Sequence, residues 1–300
     1  MADVSAADGI VFVTWCTTGE QRRQAGRLIE SLRTFGGAFA ACPVWLFDHA
    51  PDRVPDAVLA LPGVTTRLLE IPPGLGSYIL ADKVCACAQA EALAGDAVDS
   101  LVWVNPECVF VQPPALLDLH GAADIALRPV HIRNVGAPAG EPLDDYWQAI
   151  YRSLDLAVTG EAVESFVDGQ RIHPYFNTHV FAVNPALGLS RRWLDEFTRL
   201  VNDTRFQAGA CADGLHRLFL HQAVFSALIV AAVPTERRRM LPPTYSYPYD
   251  LHERVPAARR ARSLEELVCV AIEERSLDPA TMHDITVDEP LRTWLTTHAW

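Results

Sequence analysis

One run of residues limits the fold more than any other feature of the sequence. Residues 10–16, Ile-Val-Phe-Val-Thr-Trp-Cys, are nearly all β-branched or aromatic and predict a strand buried on both faces. A helix start at Thr18 follows, and apolar side chains then recur at helical spacing over 21–35. Further strands are predicted over 43–48, 64–71, 101–104 and 123–128, with helices over 78–94 and 143–156. This alternation predicts an α/β fold with a mostly parallel central sheet and helices on both of its faces.

The second half of the chain has a different pattern. A strand is predicted over 174–184, two long helices over 187–201 and 215–232, and a further strand over 267–272 before a short terminal helix. Residues 241–250 form a loop rich in proline and tyrosine, a composition that disfavours helix.

Composition excludes several classes of protein. Hydrophobic residues make up 50% of the 300 residues, which is enough for a full core and too many for a disordered chain. Proteins that bind nucleic acids need a basic surface, and this chain has a net charge of −12, so no nucleic-acid partner is expected. The longest nearly apolar run, 223–233, has about half the length of a membrane span. Residues 3 and 8 are acidic, whereas the start of a signal peptide is basic, so no signal peptide is expected. We therefore expect a cytoplasmic protein without a membrane span, whose seven scattered cysteines are free and mostly buried.

Several common catalytic motifs are absent from the sequence. No G-x-G-x-x-G follows the first predicted strand, and there is no P-loop, H-E-x-x-H or G-x-S-x-G. These absences exclude simple dinucleotide oxidoreductases and disfavour nucleotidyltransferases, which cradle phosphates on a glycine-rich loop.

Five features occur in a characteristic order: the opening strand with its turn, a helix that carries Lys83, a strand that ends at Asn105, the segment Tyr175-Phe-Asn-Thr178, and a helix with His221-Gln222. In this order and spacing they resemble the GT-A fold of nucleotide-diphospho-sugar transferases over about residues 10–248.

The resemblance implies a division of the chain. It implies a single GT-A-like domain over 1–250, with a Rossmann-like, nucleotide-binding half at 10–128 and a sugar and acceptor half at 129–250. Residues 251–300 would form a C-terminal extension packed on the same domain.

The chain departs from the family at the metal site. The family's fourth strand ends in Asp-x-Asp, whose carboxylates hold a divalent cation on the donor's diphosphate, whereas this chain has Asn105-Pro106-Glu107 and no Asp-x-Asp at any position. Asn105 and Glu107 both carry oxygen ligands, but one negative charge holds Mn²⁺ or Mg²⁺ less firmly than two. We expect weak or absent metal dependence, with the arginines of 237–239 and 254–262 as an alternative source of positive charge.

Two histidines replace family residues at polar positions. The family reads Tyr-Phe-Asn-Ser/Ala-Gly where this chain has His179 in place of the glycine, so the imidazole either narrows the sugar site or serves as an acid–base group or ligand. His221 stands where the family often has Asp, and Tyr245 lies in a loop similar to the family's Leu-Pro-x-x-Tyr-Asn.

The resemblance implies three groups of site residues: the catalytic candidates Glu107, His179 and His221, the nucleotide and diphosphate candidates Asp48, Lys83 and Asn105, and the sugar and acceptor candidates Tyr175, Asn177, Gln222 and Tyr245. Structural roles remain open for several of them. Asp48 could cap its strand, Lys83 could extend into solvent, and Asn177 could bond its neighbouring backbone. Asn105 and Glu107 could lie in a solvated turn. His179 and His221 could be ordinary buried histidines, each with a hydrogen-bond partner.

Two functions fit these residues. The first is a glycosyltransferase-like enzyme that moves a sugar from a nucleotide diphosphate donor to a small or peptide-like acceptor. The alternative is a catalytically inert or repurposed GT-A domain, which acts as a binding module or runs another group transfer with His179 or His221 as general base near neutral pH.

Overall fold

The structure is a computed structural model that describes residues 9–273, 275–280, 282 and 284–298. Its strands are β1 (Ile10–Cys16), β2 (Val44–Asp48), β3 (Val64–Leu68), β4 (Ser100–Val104), β5 (Cys108–Phe110), β6 (Ile125–Leu127), β7 (Val163–Glu164), β8 (Arg171–Ile172), β9 (Val180–Val183), β10 (Arg238–Met240), β11 (Tyr247–Pro248) and β12 (Cys269–Ala271). Its α-helices are α1 (Gly19–Phe35), α2 (Asp56–Leu59), α3 (Ala81–Leu93), α4 (Asp145–Ser153), α5 (Leu189–Asn202), α6 (Thr204–Ala208), α7 (Gly214–Ala232) and α8 (Leu291–Thr297).

The central sheet has seven strands in the order β10-β6-β9-β4-β1-β2-β3. Strands β4, β1, β2 and β3 run parallel, as do β6 and β10, and β9 runs antiparallel to its neighbours β4 and β6. The prediction of a mixed α/β, mostly parallel sheet is therefore confirmed. Because β9 is antiparallel, its first residue meets the last residue of β4, with Val180 opposite Val104.

Helices cover both faces of the sheet because the side chains of β1 alternate between two cores. Val11, Val13 and Trp15 pack with residues of α3, α5 and α7, whereas Ile10 and Phe12 pack with α1 on the opposite face. The turn after β1 is fixed by a capping box, in which the Thr18 side chain accepts the N–H of Gln21 and the Gln21 side chain bonds back to the cap.

A smaller sheet joins the C-terminal segment to the rest of the chain. Strand β12 pairs antiparallel with β5 and parallel with β11, and its central residue Val270 shares a core with α8. Strands β7 and β8 form a separate two-stranded hairpin. The domain boundary at residue 250 stays a prediction.

Several element boundaries differ from those predicted. The strand predicted over 174–184 is regular only from Val180, because the residues before it form a single bridge to Pro129 and bonds to other loops. The helix predicted from residue 78 begins at Ala81, since Leu80 has a φ of 61° and cannot continue a helix. The helix predicted over 143–156 spans Asp145–Ser153, where the Asp144 side chain caps its start.

Within the described residues, α7 is the one helix long and apolar enough to cross a membrane by length and composition. Its apolar 18-residue window is 56% buried inside the protein, and its middle residues belong to the main core. Burial in the core is a sufficient reason for this composition.

Candidate active site at the carboxyl edge of the sheet

A cleft of about 530 Å³ opens where β4 ends and β9 begins. In open α/β sheets, ligands bind at this edge, beyond the carboxyl ends of the parallel strands. Seven of the predicted site residues line the cleft: Lys83, Asn105, Glu107, Asn177, His179, His221 and Gln222. Helix α3 carries the lysine, the turn after β4 carries Asn105 and Glu107, the segment before β9 carries Asn177 and His179, and α7 carries the other two. The N–H of Asn105 donates to the carbonyl of His179 at 2.8 Å, which joins two of these segments.

Lys83 is a buried cation with three hydrogen bonds. It is 1% exposed, so the alternative of a solvent-extended lysine is wrong. Its ammonium donates to Asn105 Oδ1 at 2.9 Å, to the Thr178 carbonyl at 2.6 Å and to Thr178 Oγ1 at 3.0 Å. Burial lowers the pKa of Lys83 to about 8. The ammonium therefore brings a positive charge to the cleft that can be lost just above neutral pH.

The side-chain amide of Asn105 has a fixed orientation. Its Oδ1 accepts from two donors, Lys83 Nζ and Trp103 Nε1 at 3.0 Å, while its Nδ2 donates to Glu107 Oε1 at 2.7 Å. Turning the amide over would place its NH₂ against an ammonium and an indole N–H. The oxygen is therefore occupied, and the group that faces Glu107 is a donor.

These contacts do not fit a divalent metal held by Asn105 and Glu107. A hard cation needs oxygen ligands, and Asn105 presents N–H toward the carboxylate. Among the described residues, no group of three or more His, Cys, Asp or Glu side chains has an arrangement that could hold a metal ion. The hydrogen bonds therefore oppose Asn105 as a metal ligand.

Glu107 is the acidic group at the centre of the cleft. Burial raises the pKa of its carboxyl group, and the hydrogen bond from Asn105 only partly offsets this effect. A carboxyl group with a raised pKa can hold or release a proton nearer neutral pH than an exposed one, which is a property of general acids and bases.

His179 is fixed by Asn177. Asn177 Oδ1 accepts the N–H of His179 at 2.8 Å and its Nδ2 lies 3.4 Å from His179 Nδ1, so Nδ1 is the acceptor and the proton is assigned to Nε2. That nitrogen lies 3.4 Å from Glu273 Oε1 and 3.9 Å from Glu107 Oε1. The local bond of Asn177 to its own backbone, one of the two alternatives for this residue, is therefore formed.

The basicity of both histidines is low. Burial, with Lys83 and Arg128 nearby, lowers the pKa of His179 to about 3. Burial and Lys83 also lower the pKa of His221 well below its usual value. A general base near neutral pH needs a pKa close to neutrality, so these shifts disfavour that role for either imidazole.

His221 and Gln222 contact Thr178. His221 Nδ1 donates to the Leu218 carbonyl at 3.0 Å, which leaves Nε2 as an acceptor 3.2 Å from Thr178 Oγ1. Gln222 Oε1 lies 3.3 Å from the same hydroxyl. Because that hydroxyl also accepts from Lys83, helix α7 positions the lysine through Thr178.

Three predicted residues lie outside the lining of the cleft. Asp48 is buried at the end of β2, where its carboxylate binds Arg22 through two bonds of 2.6 and 2.7 Å and accepts the Ala50 N–H. Tyr175 is fully buried in the main core. The Tyr245 hydroxyl accepts the Leu116 N–H at 2.9 Å in the core on the other face. Their predicted ligand roles are untested, and the structural role of each is evident.

The arginine clusters also lie away from the cleft lining. Arg237 pairs with Asp124, and Arg238 pairs with Glu161. Arg239 donates to backbone carbonyls. The alternative in which these arginines neutralise a diphosphate is therefore not supported by their positions.

Three acidic or imidazole groups of the cleft were missed by the sequence reasoning. They are His131, which follows β6, and Asp250 and Glu273, which come from the C-terminal part of the chain. His131 lies just beyond the carboxyl end of a predicted strand, a position that could have identified it. Asp250 and Glu273 have no such signal in the sequence. Their region reaches the cleft through the pairing of β12 with β5, which joins distant parts of the chain.

The charges that line the described cleft are mostly negative. Glu107, Asp250 and Glu273 are carboxyl groups, and Lys83 is the cation among the lining residues. Burial raises the pKa of Asp250 as it does that of Glu107.

Comparison with known proteins identifies the family. The chain matches the sequence model of the Rhodobacterales glycosyltransferase domain over residues 10–232. No curated protein matches the sequence significantly. The fold is similar to the crystal structure of apo mouse xyloside xylosyltransferase 1, with a TM-score of 0.50 and 13% identity, over 87% of this chain and 97% of the mouse chain. The GT-A-like fold expected from the sequence is therefore confirmed, and the chain belongs to the Rhodobacterales glycosyltransferase domain family.

Proposed function

We propose that this protein transfers a sugar from a nucleotide diphosphate donor to a small or peptide-like acceptor, with the reaction in the cleft. One observation carries the proposal. Seven residues predicted from the sequence, on four separate segments of the chain, line one cleft at the edge of the sheet where α/β proteins bind ligands. Membership of a glycosyltransferase family supports the same reaction class.

In this proposal Lys83 supplies the positive charge for the donor's diphosphate. It is the cation among the described lining residues, and its three hydrogen bonds hold it in place before a ligand binds. A charge that is already oriented stabilises a leaving phosphate without reorganisation during the reaction. Because the oxygen of Asn105 is bound to Lys83 and Trp103, we propose that binding of the donor needs no divalent cation.

Glu107 is the proposed catalytic base or acid. Its carboxyl group lines the cleft, and burial raises its pKa toward the range in which protons move at neutral pH. Asn105 donates to Glu107 Oε1 and orients the group. His179 and His221, with lowered pKa values, act instead as neutral hydrogen-bonding groups that shape the site.

The mouse xylosyltransferase suggests a first donor to test, because its name describes transfer of xylose. We propose UDP-xylose as the leading probe, with UDP-glucose and GDP-mannose as comparisons. We also propose that the protein works in the cytoplasm, which agrees with seven cysteines that are all free.

One observation favours a second candidate function, that of a binding domain without turnover. The three ammonium hydrogens of Lys83 and both imidazole nitrogens of His221 are engaged by the protein itself. Such a domain would bind a nucleotide or a partner but release no nucleoside diphosphate from a sugar nucleotide.

The test combines binding with turnover. Calorimetry with UDP and GDP, with and without Mn²⁺, measures binding, and release of nucleoside diphosphate from each sugar nucleotide measures turnover. We expect turnover that Glu107→Gln lowers at least a hundredfold, in line with the usual contribution of a general acid or base. Glu164→Gln is the matched control, because Glu164 is 58% exposed in a surface ion pair with Arg259.

Absence of binding of both nucleotides would contradict a sugar-nucleotide enzyme. Binding without any turnover favours the second candidate. Turnover that survives Glu107→Gln would remove the catalytic role of this residue.

A further inference from the structure

His131 is a cleft residue to which the proposed reaction gives no role. It follows β6, and its carbonyl accepts the N–H of Val167 at 2.7 Å, so its backbone is fixed. The side chain is only 7% exposed and lines the cleft beside His179, with 5.6 Å between the ring centroids. Neither ring nitrogen has a hydrogen-bond partner among the described residues.

An unpartnered buried imidazole is unusual, because buried polar groups are nearly always hydrogen-bonded. Burial, with Arg128 and His179 nearby, lowers the pKa of His131 well below its usual value. The ring is therefore neutral near neutral pH, with one N–H donor and one acceptor nitrogen. A ligand that satisfies both must offer an acceptor and a donor together, as hydroxyl groups of a sugar ring do.

Asp250 carries a second unpartnered atom in the same cleft. Its Oδ1 is buried without a hydrogen-bond partner among the described residues, and it comes from a segment beyond the family match at residue 232. A carboxylate oxygen accepts from a hydroxyl and repels a phosphate. The two unpartnered groups, from separate parts of the chain, therefore favour a ligand rich in hydroxyls over an anion.

We propose that His131 and Asp250 bind hydroxyl groups of a carbohydrate in the cleft, on either the donor sugar or a sugar acceptor. This inference rests on the proposed function and adds a specificity role for residues that the reaction itself does not need.

The experiment compares sugar nucleotides with bare nucleotides. Wild type, His131→Phe and His131→Gln are titrated with UDP, UDP-xylose and UDP-glucose, and with GDP and GDP-mannose. The matched control is His173→Phe, because His173 is equally buried but lines a separate cavity of about 480 Å³. Turnover is also measured with methyl xyloside and methyl glucoside as acceptors.

If the hydroxyls belong to the donor, His131→Phe weakens binding of the sugar nucleotides by roughly tenfold, the effect of one or two lost hydrogen bonds, and leaves UDP and GDP unchanged. If they belong to the acceptor, donor binding is unchanged and the KM for the methyl glycoside rises by a similar factor. In either case His131→Gln, which keeps a donor and an acceptor, retains most of the affinity, and His173→Phe has no effect.

The melting temperature of each variant is measured first. His131→Phe removes an unpartnered buried polar group, so we expect it to melt no lower than wild type. Should it fail to fold, Asp250→Asn supplies the second test, with the same loss of selectivity for sugar over bare nucleotide. An active wild type with unchanged donor affinity and acceptor KM in these variants overturns the inference alone. A wild type that binds none of the probes overturns the proposed function and this inference with it.

Discussion

Replacing Asn105 by Asp tests whether the amide at this position is what keeps a divalent metal out of the cleft. The new carboxylate would lie about as far from its neighbours as the amide does now, 2.9 Å from Lys83 Nζ and 2.7 Å from Glu107 Oε1. At an effective dielectric constant of about 20, the attraction to the ammonium and the repulsion from the glutamate are each about 6 kcal/mol. Because they nearly cancel, we expect Asn105→Asp to fold with a stability near that of wild type.

The variant should differ from wild type in its response to Mn²⁺. A cation between the two carboxylates would remove their repulsion, whereas wild type offers it one carboxylate and an amide N–H. At a concentration 100 times its Kd, a bound ion stabilises the folded state by about 2.7 kcal/mol. In a chain of this length that corresponds to a rise in melting temperature of roughly 5 °C.

The assay is thermal unfolding over a Mn²⁺ series for wild type, Asn105→Asp and the double variant Asn105→Asp with Glu107→Asp. Asn202→Asp is the control, since Asn202 is exposed at the end of α5, lies outside the cleft lining and gains the same charge. We expect a shift in the two Asn105 variants and none in wild type or the control. The reasoning is refuted if wild type is stabilised to the same extent and Glu107→Gln abolishes that effect, because Glu107 would then hold the metal without a second carboxylate.

Four further predictions concern charge and burial. Because burial lowers the pKa of Lys83 from 10.5 to about 8, calorimetry should show UDP or GDP binding weaken as the pH rises through about 8, and Lys83→Met should remove this dependence. Over the same interval the free energy of unfolding should rise toward pH 10.5, since the unfolded chain binds the extra proton; a flat urea-denaturation profile would contradict the shift. Asp48→Asn should lower the free energy of unfolding by about 3 kcal/mol in urea denaturation, because it leaves Arg22 without its buried partner; unchanged stability would return Asp48 to a ligand role. Burial protects the thiols, so a colorimetric thiol reagent should react slowly with all seven cysteines of the native protein and fast after denaturation; a fast native thiol would disagree with the fold.

The order of elements could be predicted because it depends on local patterns. The run from Ile10 to Cys16 predicts a buried strand from its own composition. Thr18 and Gln21 mark the start of α1 through a hydrogen bond that spans three residues. The convergence of the site residues needed more than local pattern. The grouping of these residues into one site was predicted from their resemblance, in order along the chain, to the GT-A fold.

The partners of the site residues could not be predicted from the sequence. Arg22 is 26 residues from Asp48, and no periodicity signals that its guanidinium occupies the carboxylate. Glu273 reaches the cleft because β12 pairs with β5, with the Ile272 N–H donating to the Glu107 carbonyl at 3.1 Å. Both pairings depend on tertiary packing, and the second joins strands more than a hundred residues apart. For the same reason the sequence suggested acid–base roles for His179 and His221, while burial makes both imidazoles weakly basic.

The pKa of Lys83 depends on the acceptor that residue 105 offers to its ammonium group. In wild type the ammonium donates to neutral acceptors only, the amide oxygen and the Thr178 oxygens, and nearby anionic groups such as Glu107 offset its burial only in part. In Asn105→Asp a carboxylate would replace the amide oxygen and hold the ammonium protonated, which raises the pKa of Lys83. The weakening of UDP binding near pH 8 should therefore move to higher pH in Asn105→Asp, measured by calorimetry in metal-free buffer. Wild type and Asn202→Asp should share the lower midpoint. If all three proteins lose affinity at the same pH, a group other than Lys83 controls the charge of the cleft.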